Sequence, residues 1–175
     1  MFLMRARQRG DELFIVSHKT KFGHFDSTKT PLRTVALAWM ENKGFFDRDE
    51  FGFETENVFF ATTRREKVDQ IARLDLDVFI DDLEEVFEEE GFPSIRKILF
   101  NVRETGTHHN LHCDNWTEIG RQILGPLTDA ECKILAQTIC PDKVDNITRL
   151  PGRGNSRVFH IGTDSGVPYA LKFYP

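Results

Sequence analysis

The chain has 175 residues, with 23 Lys plus Arg against 28 Asp plus Glu, and its net charge of −5 gives it no global electrostatic attraction for nucleic acid or an anionic membrane. Hydrophobic residues make up 39% and charged residues 29%, which permits a packed core and excludes wholesale disorder. No stretch reaches the roughly 20 apolar residues of a spanning helix, and three cysteines without a Cys-x-x-Cys pair point to reduced thiols in a cytoplasmic protein without a secretory leader.

Residues 2–10 read as the end of a helix stopped by Gly10. Leu13 to Val16 is a short apolar run, read as a buried strand, which gives way to the polar cluster Ser17-His18-Lys19-Thr20. Pro31 starts a helix whose apolar face is Leu32, Val35, Ala36, Trp39 and Met40, ending at Lys43-Gly44. Asn57 to Ala61 is a second strand. Thr63, three residues before Glu66, fits a capping box for a helix continued by Val68, Ile71 and Leu74. Asp77 to Ile80 is a third strand, Leu83 to Glu90 a helix, and Ile98 to Phe100 a fourth strand. Strands alternating with helices predict a parallel α/β sheet with right-handed crossovers.

The pattern changes after Phe100. Residues 101–115 are polar and read as a linker. Trp116 to Leu124 and Leu127 to Ile139 read as two short helices, the second capped by Thr128 and followed by Pro141. Ile147 to Leu150, Arg157 to Ile161 and Tyr169 to Phe173 read as strands, the last two pairing around Thr163-Asp164-Ser165-Gly166. Residues 1–100 are thus expected to form one domain, and 116–175 a small α+β piece with a β-hairpin that does not complete a domain.

Ligands of α/β sheets bind beyond the carboxyl ends of the strands. Ser17, Lys67, Asp81 and Asp82 all fall at such positions in the chain. Paired carboxylates at a strand end suit a hard cation such as Mg²⁺, and a hydroxyl and an ammonium suit phosphoryl oxygens. Each also has a plain structural use: Ser17 as a turn cap, Lys67 as an exposed helix residue, and Asp81 and Asp82 as helix caps opening a run of seven acidic residues through Glu90.

In their order, Leu13-Phe-Ile-Val-Ser17, Arg65-Glu-Lys67 and Phe79-Ile-Asp81-Asp82 resemble the second, third and fourth motifs of the haloacid-dehalogenase (HAD) superfamily. The resemblance covers about residues 1–100 and implies a three-layer Rossmann-like fold that acts on a phosphorylated small molecule. It implies that Ser17 hydrogen-bonds the transferring phosphoryl group, that Lys67 pairs with nucleophile and phosphate, and that Asp81 and Asp82 hold Mg²⁺. His18-Lys19-Thr20 resembles a narrower branch in which this domain precedes a kinase-like domain. The superfamily's first motif is a strand ending in Asp-x-Asp, placed before the Ser strand, and its first Asp is the covalent nucleophile. Only twelve residues precede Leu13, and none forms that motif. Asp75-Leu76-Asp77 precedes a strand instead of ending one, and Asp47-Arg48-Asp49 lies in a loop. Little or no phosphatase turnover is therefore expected.

Leu150 to Ile161 is a strand, a Gly-rich turn and a strand, followed by Tyr169-Ala-Leu-Lys172 on a third. Amides of such a turn approach phosphates closely, and a strand lysine can reach the same phosphates. The stretch resembles the start of the small lobe of aminoglycoside-phosphotransferase-like and protein-kinase-like enzymes, with Arg157 where a third glycine is usual. That resemblance implies that Gly152, Gly154, Asn155 and Ser156 cover ATP phosphates and that Lys172 contacts them. The combined expectation is a fragment of a bifunctional Mg²⁺-dependent phosphoryl-transfer protein, binding a nucleotide in its full-length form. The alternative is a non-catalytic binding or scaffold module. A sheet lacking an early strand is expected to expose edges that invite self-association. His108, His109, His112, Cys113 and Asp114 are a weaker candidate metal cluster in the polar stretch, His18 and His24 flank the strand end, and the numerous phenylalanines read as core and loop packing.

Overall fold

The computed structural model describes residues 2–23, 27–100, 111–151 and 156–173. The chain is mixed α/β and divides into two compact units, at Ile123 and Leu124. No helix among the described residues is long and apolar enough to cross a membrane.

The first unit opens with α1 (Phe2–Gln8), stopped by Gly10 in the left-handed region at φ 85°, where a side chain would be strained. Strand β1 (Ile15–His18) follows, two residues later than the apolar run suggested, so Ser17 and His18 lie within the strand. Helix α2 (Leu32–Asn42) starts after Pro31, β2 covers Val58–Ala61, and α3 covers Arg64–Arg73. Only half of the expected capping box forms at α3. The Thr63 hydroxyl accepts from the Glu66 amide, while the Glu66 carboxylate accepts from the Thr62 amide one residue further back. Strand β3 is Val78–Asp81 and β4 is Arg96–Phe100. Between them only one helical turn forms, α4 (Glu84–Phe87), instead of the helix expected through Glu90. Like charges crowd that run, and Val86 and Phe87 are the apolar residues that bury there.

The stretch 101–115 is not merely a linker. Leu111–Cys113 form β5, paired in parallel with β4, and α5 (Trp116–Leu124) follows. Ile119 of α5 packs with Ile98 and Cys113, so the first unit extends to Ile123 and beyond the boundary expected near residue 100. A polar three-residue strand with one buried side chain carries too short an apolar period to be read from sequence.

The parallel strands form two sheets, β1–β2 and β3–β4–β5. Side chains alternate between two apolar clusters, one on each face of β3 and β4. Phe79 and Leu99 pack with Val16, Val68, Ile71, Val86 and Phe87. Val78, Ile80, Ile98 and Phe100 pack on the other face with Ile119, Leu111 and Phe2. Phe45 collects Trp39, Phe51 and Phe53 at centroid separations of 5.8, 5.1 and 5.8 Å, a packing role for these rings.

The second unit contains α6 (Asp129–Ile139) and an antiparallel sheet of β6 (Val144–Leu150), β7 (Arg157–Thr163) and β8 (Tyr169–Phe173) in that order. The β7–β8 hairpin turns where the sequence places it. Its core joins Ala136, Val144 and Ile161 with Ile147, Tyr169 and Leu171. Thr128 completes a reciprocal capping box with Glu131. Replacing Thr128 by Ala is expected to lower stability by about 1 kcal/mol, seen as a reduced denaturation midpoint. Thr128→Ser should retain most of it.

Candidate functional site

Five separated segments deliver side chains to one cleft of about 310 Å³, lined by Val16, Ser17, Lys67, Ile80, Asp81, Asp82, Phe100 and Trp116. Its size is at the lower end of small-ligand pockets. Ser17 comes from β1 and is partly buried. Lys67 comes from the first turns of α3, where Val68 and Ile71, both fully buried, fix the helix and turn Lys67 inward. Asp81 is the last residue of β3, and Asp82 follows it, exposed. The four residues that the sequence analysis singled out here thus share one cleft.

The Lys67 ammonium donates to Asp81 Oδ2, with side chains 8% and 4% exposed. Asp81 Oδ1 accepts from the Leu83 amide at 3.1 Å. The ammonium also lies 5.6 Å from the Phe79 ring centroid. Burial pushes the Asp81 carboxyl above its ordinary range, and Lys67 and the Leu83 amide pull it back only in part. The native state therefore holds this proton more tightly than the unfolded chain. The Asp81 contribution to stability is full below the unfolded carboxyl value, about 4, and is lost as pH rises through the raised native value. The stability of the wild type relative to Asp81→Asn is accordingly expected to fall as pH rises above about 4, as measured by urea denaturation from acid to neutral pH. A relative stability that rises with pH would contradict this assignment.

Aromatic rings form the apolar wall of the cleft. Trp116 stacks on Phe100 at 5.2 Å and on Phe2 at 5.7 Å, with interplanar angles of 28° and 19°. Neither Phe100 nor Trp116 carried a site signal in the sequence, because each reads as the boundary residue of an ordinary strand or helix. Arg33 of α2 was also passed over. Its guanidinium donates to the Lys19 carbonyl at 3.0 Å and to the Thr62 hydroxyl at 2.9 Å, tying together the segments that follow β1 and β2. Near these, His18 Nε2 donates to the Thr62 carbonyl at 3.0 Å, which fixes that tautomer.

Neither Asp-x-Asp triplet reaches the cleft. Asp47 accepts from the Asp49 amide at 2.8 Å within its own turn. Asp75 closes the end of α3 with φ 49°, and Asp77 precedes β3, at the opposite end of that strand from Asp81. Among the described residues no group of three His, Cys, Asp or Glu is gathered for a metal ion. Asp81 and Asp82 are two adjacent carboxylates at the strand end, and each oxygen of Asp81 already accepts a hydrogen bond, from Lys67 and from the Leu83 amide. His24, His108 and His109 lie outside the described residues. His112 is exposed and Cys113 buried, on alternating sides of β5.

In the second unit, Gly152, Gly154 and Asn155 lie outside the described residues. Ser156 immediately precedes β7. Lys172 on β8 faces Val158 of β7 across the ladder, and Val158 in turn faces Leu150 of β6. This register sets Lys172 at the end of the sheet where β6 and β7 are joined. No family model matches the chain, no curated protein matches its sequence, and no solved structure matches its fold.

Proposed function

We propose that the first unit is a HAD-like domain of three-layer Rossmann-like build, binding a phosphoryl group in the cleft of Ser17, Lys67, Asp81 and Asp82. The observation that carries this reading is the convergence of a hydroxyl, a buried ammonium and two carboxylates from separate segments on one small cleft. The Ser17 hydroxyl and the Lys67 ammonium are the donors to phosphoryl oxygens. Lys67 keeps N–H groups beyond the one given to Asp81, since an ammonium has three. Low exposure strengthens such charge-assisted bonds. Mg²⁺ arriving with the phosphate would be held by Asp81 and Asp82 and would neutralise phosphoryl charge.

The second unit is read as the opening strands of a kinase-like small lobe, with Gly152, Gly154, Asn155 and Ser156 over ATP phosphates and Lys172 contacting them. The register that sets Lys172 at the β6–β7 end supports this. The parent function is then a bifunctional Mg²⁺-dependent phosphoryl transfer.

A specific observation favours the second reading, a binding or scaffold module, for this chain by itself. No Asp-x-Asp carboxylate lines the cleft. A site of this composition binds and polarises a phosphate, but among the described residues its two carboxylates, Asp81 and Asp82, are the ones assigned to Mg²⁺, which leaves no further carboxylate to attack phosphorus. The test pairs two assays on the full chain with Mg²⁺: titration calorimetry with inorganic phosphate, and release of nitrophenolate from p-nitrophenyl phosphate. Binding without turnover is expected. Absence of phosphate binding overturns the site, and turnover that survives Asp82→Asn and Lys67→Met overturns its chemistry.

A further inference from the structure

The cleft is lined by two kinds of side chain. Ser17, Lys67, Asp81 and Asp82 supply its polar groups, while Val16, Ile80, Phe100 and Trp116 line the remainder with carbon. A phosphate engages the polar groups alone and does not fill the 310 Å³. Trp116 is the largest of the apolar residues there, and it is 49% exposed. Single exposed apolar side chains are ordinary on a surface, but this one is held in place. Its indole stacks on Phe100 at 5.2 Å and on Phe2 at 5.7 Å, and both of those rings pack against the Ile98, Cys113 and Ile119 core. Ile119, one turn further along α5, is fully buried and anchors the helix that Trp116 opens. A ring fixed in this way loses little rotamer freedom when a ligand meets it.

We propose that the cleft takes a phosphate monoester whose alcohol part is a neutral, flat aromatic ring on or next to the ester oxygen, with the ring against Trp116 and Phe100. The proposal rests on the phosphoryl reading of the cleft and names the part of the ligand that this reading leaves open. An aromatic group is favoured over an aliphatic one because rings in offset or edge contact gain more than their buried area alone. A neutral group is favoured over a second anion because Asp82 is exposed and Glu84 and Glu85 follow it in α4. The small volume of the cleft sets the ring close to the phosphate. Trp116 is thereby a specificity residue, touching the ester group while Ser17 and Lys67 hold the phosphoryl oxygens.

The test is titration calorimetry on the full chain with Mg²⁺, using inorganic phosphate, methyl phosphate, cyclohexyl phosphate and phenyl phosphate. The wild type is expected to bind phenyl phosphate about tenfold more tightly than methyl phosphate, with cyclohexyl phosphate between them. That ratio is expected to fall to within about twofold in Trp116→Ala and to recover in Trp116→Phe. Trp39 and Trp116 are the two tryptophans of the chain, so in Trp39→Phe the indole emission reports Trp116 with the cleft unaltered. Saturating phenyl phosphate is expected to shift that emission further than saturating methyl phosphate does. Binding of inorganic phosphate with equal affinities for the methyl and phenyl esters overturns the proposal and leaves the phosphoryl site standing. So does cyclohexyl phosphate bound as tightly as phenyl phosphate, a ratio unchanged in Trp116→Ala, or the same emission shift from both esters. Absence of binding by every one of these ligands overturns the phosphoryl site and the proposal together.

Discussion

Lys67→Met is expected to lower stability by about 3–5 kcal/mol at pH 7, as measured by chemical denaturation. The reason is the environment of its partner. Asp81 has a side chain only 4% exposed and already sits above its ordinary carboxyl range. Removing the ammonium leaves that carboxylate buried with the Leu83 amide as its remaining polar contact among those described. Asp81→Asn should cost less, because the amide oxygen still accepts from one of the two donors, Lys67 or the Leu83 amide, and the variant gives up a charge that burial disfavours. The double variant Lys67→Met/Asp81→Leu removes both charges and replaces them with apolar volume. It is expected to lie within about 1 kcal/mol of the wild type, or above it. Additive losses in the double variant would show that the pair itself stabilises the fold, against this account.

Ile71→Ala is the second large effect, a loss of about 2–5 kcal/mol. Ile71 is fully buried in the cluster that joins β1, β3, β4 and α3. Its removal opens a cavity beneath the helix that orients Lys67. Ile134→Ala on α6, at a side chain 43% exposed, supplies the contrast and should change stability by less than about 0.5 kcal/mol. Equal effects at the two positions would contradict the placement of the core on α3.

What was legible in the sequence follows the strength of its local signals. The Thr128 cap, and the glycine-bearing turn between β7 and β8, act within a few residues, and both stand where they were read. Helix α5 carries a strong apolar periodicity and has the bounds expected, Trp116–Leu124. Leu13 and Phe14 extended the first strand too early, because apolar character alone does not say where ladder hydrogen bonds begin. Strand β5 was hidden in a polar stretch, since its place is set by pairing with β4 and by one buried thiol, Cys113, neither of which is a periodic signal. The acidic run after Asp82 gave one helical turn where a longer helix was expected. Of the site, Ser17, Lys67, Asp81 and Asp82 were legible as residues beyond strand ends. The burial of the Lys67–Asp81 pair was not, because it depends on how α3 packs, and the Trp116 wall depends on ring stacking across elements far apart in the chain. The division of the parallel strands into two sheets also lies beyond local pattern, being a matter of which edges meet.

The central claim is that this cleft is a site for a phosphoryl anion built on the buried Lys67. It is tested most directly by titrating inorganic phosphate with Mg²⁺ into the wild type and into the Lys67→Met/Asp81→Leu variant, whose fold is expected to persist. Saturable binding by the wild type, with a loss of at least tenfold in affinity in an equally stable variant, is the predicted result. Equal affinity in the two proteins, or no binding by either, would contradict it.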